Sequence, residues 1–210
     1  MGTMIELDHL LWAAPDLDAG MARITELTGV APAVGGAHPG FGTRNALLSL
    51  SASYLEIIAP DPAQELANNR GGRIAALPGP RLLTFAVRTP DLAGFALAAR
   101  RAGLPVEDPV AMSRTRPDGT RLAWTTRQAV SDAHPDLIPF AIDWQGSPHP
   151  AGTTPRGCTL VDFAAVHPDP EPLAAIYATL GIPVAVRHGP QPGLAATLDA
   201  PHGRITLVSR

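Results

Sequence analysis

The chain of 210 residues contains no lysine, so all 16 of its basic residues are arginine. Without a lysine, the protein cannot form a Schiff base, anchor pyridoxal phosphate or build a Walker phosphate loop. The 16 basic residues are opposed by 19 acidic ones, and this balance provides no electrostatic basis for binding nucleic acid or an anionic membrane. We therefore expect the partner to be a small, nearly neutral molecule.

Cysteine and long apolar runs are also scarce. The single cysteine, Cys158, cannot form a disulfide within the chain, which fits a reducing compartment. No stretch approaches 18 uncharged apolar residues, and the N-terminus lacks the basic and apolar regions of a signal peptide. These absences predict a soluble, cytoplasmic protein with no membrane span.

An internal repeat organises the sequence. Three times an apolar run ends at a proline, and these prolines lie 75 and 78 residues apart: Pro15, Pro90 and Pro168. Each proline precedes a helix-like segment closed by a glycine, which suits the left-handed turn after a helix: Gly29, Gly103 and Gly181. Short β-type runs follow each glycine, so the pattern predicts an α+β fold of three tandem βαβββ units.

Other motifs are more specific than the repeat. The first unit contains Leu7-Asp8-His9 in its first strand, then Gly35-Gly36-Ala-His38-Pro-Gly-Phe-Gly42-Thr43-Arg-Asn45, then Tyr54-Leu55-Glu56 in its last strand. The second unit contains Arg116-Pro-Asp-Gly119 through Trp124, then Pro139-Phe140, Asp143-Trp144 and His149-Pro150. In these motifs the chain resembles the glyoxalase-like domain family of the vicinal oxygen chelate superfamily, the superfamily of glyoxalase I, extradiol dioxygenases and bleomycin-resistance proteins.

The resemblance implies that two units pair into a cup-shaped mixed sheet. We expect a two-unit glyoxalase-like domain over residues 1–150 and the third βαβββ unit over residues 151–210, with linkers near residues 61–80 and 145–157. An odd number of units leaves one without an internal partner, which predicts a homodimer.

A divalent metal is the second implication of the resemblance, because the superfamily takes its ligands from the first and last strands of each paired unit. His9 and Glu56 occupy these positions in the first unit. The third ligand would be Asp143 if units one and two pair, or Asp162 if units one and three pair. Such a set suits zinc, nickel, manganese or iron. A shift of one residue in the register of Asp143 would turn its side chain to the opposite face of the sheet.

The same motifs contain candidates for substrate binding and proton transfer. The predicted substrate-binding residues are His38, Thr43, Asn45, Trp124 and His149. Glu56 and His38 are the candidates for moving protons, while the metal stabilises a developing oxyanion in a lyase, isomerase or dioxygenase step. The structural alternative for His38 is that it packs over a tight glycine-rich connection.

Two further questions stay open at the level of sequence. The cluster Arg114, Arg116 and Arg121 is either solvated surface or a clamp for an anionic substrate. The protein as a whole is either a metal-dependent enzyme acting on a small oxygenated metabolite or a metal-free protein that binds or sequesters a small molecule, as drug-sequestering members of the superfamily do.

Overall fold

The computed structural model describes residues 4–115 and 119–209. Arg116 and the first part of the predicted Pro-Asp-Gly turn lie outside these residues. In the described part of the chain, no helix is both long enough and apolar enough to cross a membrane.

The described residues form strands and helices in the order that the repeat predicts. The first unit consists of β1 (Glu6–Ala13), α1 (Leu17–Thr28), β2 (Ala33–His38), β3 (Thr43–Ser49) and β4 (Tyr54–Pro60). A short helix, α2 (Arg70–Ala75), precedes the second unit of β5 (Arg81–Arg88), α3 (Leu92–Arg101), β6 (Val110–Thr115), β7 (Arg121–Arg127) and β8 (Phe140–Asp143). A 3-10 turn at Pro150–Gly152 precedes the third unit of β9 (Thr159–His167), α4 (Pro170–Leu180), β10 (Ala185–His188), β11 (Gly193–Ala200) and β12 (Gly203–Val208).

The proline and glycine signals mark the helix ends as expected. The carboxylate of Asp16 accepts a hydrogen bond from the Ala19 amide at 2.8 Å and caps the start of α1. Gly29 ends this helix with a φ of 78°, and Gly181 ends α4 with a φ of 70°. A residue with a side chain is strained in this left-handed conformation, so glycine is the natural choice at both positions.

Units one and two pair into one mixed sheet of eight strands, in the order β2-β3-β4-β1-β5-β8-β7-β6. Within each unit the last strand runs parallel to the first, and β1 and β5 join the units in an antiparallel pair. The sheet curves into a nearly closed cup, which confirms the fold that the resemblance implies.

The third unit forms a separate sheet of four strands, in the order β10-β9-β11-β12. Its elements follow the predicted sequence, but β9 here lies between a parallel β10 and an antiparallel β11. This sheet packs on the outer face of the cup, where Phe163 contacts Phe85 edge to face at 5.0 Å and Tyr177 donates a hydrogen bond to the Leu137 carbonyl. The division into domains at residue 150 stays a prediction.

Alternation along β1 gives the cup its two faces. Leu10 and Trp12 point outward into the main hydrophobic core, while Leu11 and Ala13 belong to a second apolar cluster inside the cup. His9 shares the inward face with Leu11. A register shift between Leu7 and His9 inserts Asp8 as a β-bulge, so that Asp8 and His9 are both buried although they are adjacent.

Candidate functional site

An open cavity occupies the inside of the cup and measures about 860 Å³ with its mouth. Polar side chains line its floor: His9, His38, Thr43, Asn45 and Glu56. Apolar and aromatic side chains form most of its wall, among them Met112, Trp124, Phe140, Ile142 and Trp144. A concave, largely apolar space with a few converging polar groups is the usual form of a small-molecule site.

His9 lies between two buried carboxylates. Its Nδ1 is 2.6 Å from Oδ1 of Asp8, and its Nε2 is 3.4 Å from Oε2 of Glu56. The ring also stacks on Tyr54, with 4.5 Å between ring centroids. Burial lowers the pKa of His9, but the hydrogen bonds and charges of Asp8 and Glu56 outweigh burial and raise this pKa to about 9. His9 is therefore an imidazolium at neutral pH.

Glu56 carries the complementary charge. Burial raises the pKa of its carboxyl group, but the hydrogen bond and charge of His9 and the Asn45 hydrogen bond prevail and bring this pKa down to about 2. The Asn45 amide donates to Oε1 of Glu56 at 2.6 Å. His9 and Glu56 thus form an ion pair that keeps the same charges across the neutral range.

His38 belongs to the same network but is uncharged. Its Nδ1 lies 3.0 Å from Oγ1 of Thr43, and its Nε2 lies 3.2 Å from Nδ2 of Asn45. We assign the ring proton to Nδ1, because the Asn45 amide is a donor and requires a lone pair on Nε2. Burial lowers the pKa of His38. The structure thus brings the predicted His38, Thr43 and Asn45 together with His9 and Glu56.

Asp8 is the member of this network that sequence reasoning missed. Its carboxylate is fully buried, and its Oδ2 accepts hydrogen bonds from Trp144 Nε1 at 2.9 Å and from His149 Nε2 at 3.0 Å. Burial raises the pKa of Asp8, but these bonds and the contact with His9 hold it far below its usual value. The only sequence signal was its place in the Leu7-Asp8-His9 motif.

His149 therefore lies behind the floor and is not among the residues that line the cavity. Its contact with Asp8 ties the segment after β8 to the bulge in β1. The predicted direct contact of His149 with substrate would need a different arrangement. Trp124, in contrast, lines the wall, where its ring meets that of Trp144 at 5.5 Å.

The two aspartates predicted as alternative third ligands do not face His9. Asp162 lies in the four-stranded sheet, because the third unit does not take part in the cup, and it forms an exposed ion pair with Arg187. Asp143 lies in the cup sheet, but Ile142 beside it points into the cavity, so the Asp143 side chain is on the opposite face, where its Oδ1 accepts from the Gln145 amide. The register alternative noted for Asp143 is the one that occurs.

The predicted metal centre consequently lacks its third ligand. Among the residues that the structure describes, no three His, Cys, Asp or Glu side chains are grouped so that they could hold a metal ion. The strands of unit two that face His9 and Glu56 present Ala86, Phe140 and Ile142 to the inside of the cup. The donor set present therefore does not fit the divalent ion that the resemblance implies.

Arg114 and Arg70 line the cavity wall. Arg114 on β6 is buried, and its Nη1 donates to the Gly35 carbonyl on β2 at 2.8 Å, so it bridges the two edge strands of the cup. This placement rules out the solvated-surface interpretation for Arg114. Arg121 is exposed and donates to Ser113 Oγ, while Arg116 lies outside the described residues.

Arg70 lines the wall from a segment that sequence reasoning treated as linker. It is the first residue of α2, and its guanidinium carbon lies 5.8 Å from the centroid of the Phe140 ring. The helix packs tightly on the loop after β2, because the Gly71 amide donates to the Phe41 carbonyl at 3.0 Å. A Cβ atom on Gly71 would lie 1.9 Å from the Gly42 carbonyl oxygen, so only glycine permits this approach.

Comparison with known proteins agrees with this geometry. The family model for the glyoxalase-like domain matches residues 7–181, which confirms the resemblance seen in the motifs. No curated protein matches the chain. Among solved structures, a hypothetical protein from Staphylococcus aureus is 13% identical, with a TM-score of 0.66 over 98% of this chain and 85% of that one.

Methylmalonyl-CoA epimerases are also among the solved structures that match. The enzyme from Mycobacterium tuberculosis is 21% identical, with a TM-score of 0.46 over 70% of this chain and 92% of that chain. A Streptomyces coelicolor epimerase in complex with 2-nitronate-propionyl-CoA is 22% identical, with a TM-score of 0.44 over 67% of this chain and 97% of that chain. At such identities, structural similarity concerns the fold alone.

Proposed function

We propose that this chain, which belongs to the glyoxalase-like domain family, binds a small oxygen-bearing organic molecule inside the cup without a metal ion at the floor. The observation that carries the proposal is the division of the cavity into a hydrogen-bonding floor and an aromatic wall. The wall would bury the apolar body of the molecule, and the floor would bind its polar groups.

The donor set of the floor supports a function without metal. Only His9 and Glu56 occupy predicted ligand positions, and each is already engaged by the opposite charge of the other. Asp8 stabilises this state, because its carboxylate accepts from the second nitrogen of the imidazolium. The pair offers a bound molecule a fixed N–H donor and a fixed carboxylate acceptor.

A proton-transferring enzyme is the second candidate, and His38 is the observation that favours it. A neutral imidazole that lines a cavity has a free-base form available to accept a proton, and His38 Nε2 lies 3.7 Å from Oε1 of Glu56. Glu56, with a pKa of about 2, is a weak base, so His38 would take the proton and Glu56 would stabilise the resulting cation. This assignment keeps the predicted proton transfer for His38 in an isomerase or lyase reaction and gives Glu56 an electrostatic role in place of proton transfer.

A variant that fills the cavity tests the binding proposal. Thr126 lines the cup, whereas Thr125 beside it on β7 points to the other face and accepts a hydrogen bond from Gln145. We expect small aromatic alcohols, ketones and acids to raise the melting temperature of the unaltered protein and of Thr125→Trp, and to lose this effect in Thr126→Trp. Equal shifts in the two variants would place binding outside the cup and overturn the proposal.

Two expectations from the sequence remain proposals beside this one. We infer a cytoplasmic location from the single cysteine and a homodimer from the odd number of units. Light scattering at micromolar concentration tests the dimer, and a monomeric mass would contradict it.

A further inference from the structure

We infer that the molecule bound in the cup carries an oxyanion, as carboxylates and phosphate esters do, and that Arg70 is the residue that binds it. This inference rests on the proposed function, because it concerns the ligand of the same cavity. The proposed function leaves the charge of the ligand open. The inference is that the ligand is an anion and that its charged group lies at the cavity wall beside α2.

Arg70 differs from the exposed arginines in its surroundings. Four exposed or half-buried arginines each pair with a carboxylate within 2.7 Å: Arg23 with Glu26, Arg88 with Glu6, Arg187 with Asp162 and Arg204 with Asp199. Across residues 4–115 and 119–209, Arg70 has no ion pair within 4.0 Å and no hydrogen bond from its guanidinium. The Arg70 side chain is half-buried, so its guanidinium presents five N–H donors that no protein group in the described part of the chain accepts.

The Arg70 guanidinium has apolar surroundings on the side of the Phe140 ring. The Arg70 guanidinium lies over Phe140, which lines the cavity and belongs to the apolar cluster inside the cup. Burial lowers the pKa of Arg70, and the carboxylates that act in the opposite direction, Glu56 among them, do so at longer range. An oxyanion in the cavity would supply the missing acceptors, since a guanidinium binds carboxylate and phosphate oxygens through two parallel hydrogen bonds.

The backbone holds Arg70 in this position before any ligand binds. Asn69 caps α2, because its Oδ1 accepts from the Gly72 amide at 3.1 Å while its Nδ2 donates to the Glu65 carbonyl at 2.6 Å. The Gly71 amide bonds the loop after β2 at the next position. Such preorganisation reduces the entropy that binding would otherwise cost.

The acidic side chains that line the cavity do not neutralise the positive charge of Arg70. Glu107 and Asp108 lie at the rim and are exposed, so water and salt screen their charges. Glu56 is neutralised by His9 at the floor. An anion at the wall beside α2 would therefore contact the Arg70 guanidinium, and an apolar body attached to it would lie along Phe140 and Trp124.

The test compares three probes that share a benzyl group: phenylacetate, benzylphosphonate and the neutral phenylacetamide. Calorimetric titration of the unaltered protein should show one or both anions binding about 10- to 100-fold more tightly than the amide, as expected for hydrogen bonds to a charged group. Preference for phenylacetate identifies a carboxylate ligand, and preference for benzylphosphonate identifies a phosphate ester.

Substitution then assigns the effect to Arg70. Arg70→Gln should remove the preference for the anion and leave the affinity for phenylacetamide unchanged, while Arg70→Lys should retain part of the preference. Arg73→Gln is the matched control, because Arg73 is exposed on the same helix and does not line the cavity; it should bind as the unaltered protein does. The acid-to-amide comparison in the unaltered protein needs no substitution and holds even if Arg70→Gln folds poorly.

Each negative result of these titrations contradicts a different part of the proposal. If the amide and the anions bind the unaltered protein equally, the proposed oxyanion site is wrong, but the proposal that the cup binds a small organic molecule is supported. The same conclusion follows if Arg70→Gln keeps the full preference for the anion. If none of the three probes binds, the binding of aromatic molecules in the cup fails, and the assignment of Arg70 fails with it.

Discussion

His9 and Glu56 form a buried ion pair between two neighbouring parallel strands, with Nε2 and Oε2 3.4 Å apart at the floor of the cup. Each group holds the other in its charged form, with pKa values of about 9 and about 2. The opposite charges are thus mutually dependent, and this dependence leads to the first three predictions.

Glu56→Gln should destabilise the protein strongly. The substitution leaves a buried imidazolium with one carboxylate in place of two, and breaking a buried ion pair from one side costs about 3–5 kcal/mol. Urea unfolding measures the loss. Glu65→Gln is the control, because Glu65 is exposed, and it should change the free energy of unfolding by no more than about 0.5 kcal/mol. Equal effects of the two variants would contradict the ion pair.

Stability should depend on pH in two separate windows. The pKa of Glu56 falls from 4.5 to about 2 on folding, so its contribution is complete above 4.5 and is lost as the pH falls through about 2. The pKa of His9 rises from 6.5 to about 9, so its contribution is complete below 6.5 and is lost as the pH rises through about 9. Denaturant unfolding should therefore show its maximum between about pH 4.5 and 6.5.

The alkaline window identifies His9 specifically. In His9→Gln the loss of stability between pH 6.5 and 9 should become much smaller, since the titrating group with the raised pKa is gone. A decline as steep as that of the unaltered protein would assign it to another group.

Divalent metals should not stabilise the protein through the floor. A metal that binds only the folded state raises the melting temperature, and in the part of the chain that the structure describes no three His, Cys, Asp or Glu side chains are grouped so that they could hold a metal ion. We expect added Zn²⁺, Ni²⁺, Mn²⁺ or Fe²⁺ to shift the melting temperatures of the unaltered protein and of Glu56→Gln equally. A stoichiometric ion that purifies with the protein and is lost in Glu56→Gln would restore the metal-dependent reading.

Gly71→Ala should destabilise the protein and displace Arg70. The added Cβ would lie 1.9 Å from the Gly42 carbonyl oxygen, so either α2 or the loop after β2 must move. Overpacking of this kind costs about 1–3 kcal/mol. Gly79→Ala is the control, because a Cβ at Gly79 meets no atom within 4 Å. Thermal unfolding should separate the two variants, and equal melting temperatures would contradict the close approach.

The sequence by itself determined the local order of the fold. Proline before each helix and glycine after it act within a few residues, so the three helices and the order of elements in each unit followed from composition and spacing. The motifs also placed His9 and Glu56 on one face of the cup sheet, because alternation along a strand is local too. The family match adds to this reading and does not alter it.

The net charge of the chain indicated the charge of the ligand less well than the motifs indicated the fold. It predicted a nearly neutral partner, but it sums over the whole surface, whereas the charge that concerns a ligand is that of the few groups inside the cup. Arg70 reaches the cup wall from a short helix that looked like a linker, because six residues carry too little periodicity to be recognised.

Only the tertiary structure decided which units pair and what each side chain faces. Asp143 faces away from the cup because it is adjacent to Ile142, whose side chain lines the cavity, and Asp162 lies outside the cup because the third unit forms its own sheet. Asp8 joined the buried network behind the floor through a β-bulge, a feature that depends on the pairing of β1 with β5. Pairing and burial arise between residues far apart in the chain, and the long-range contacts that fix them leave no trace in local sequence.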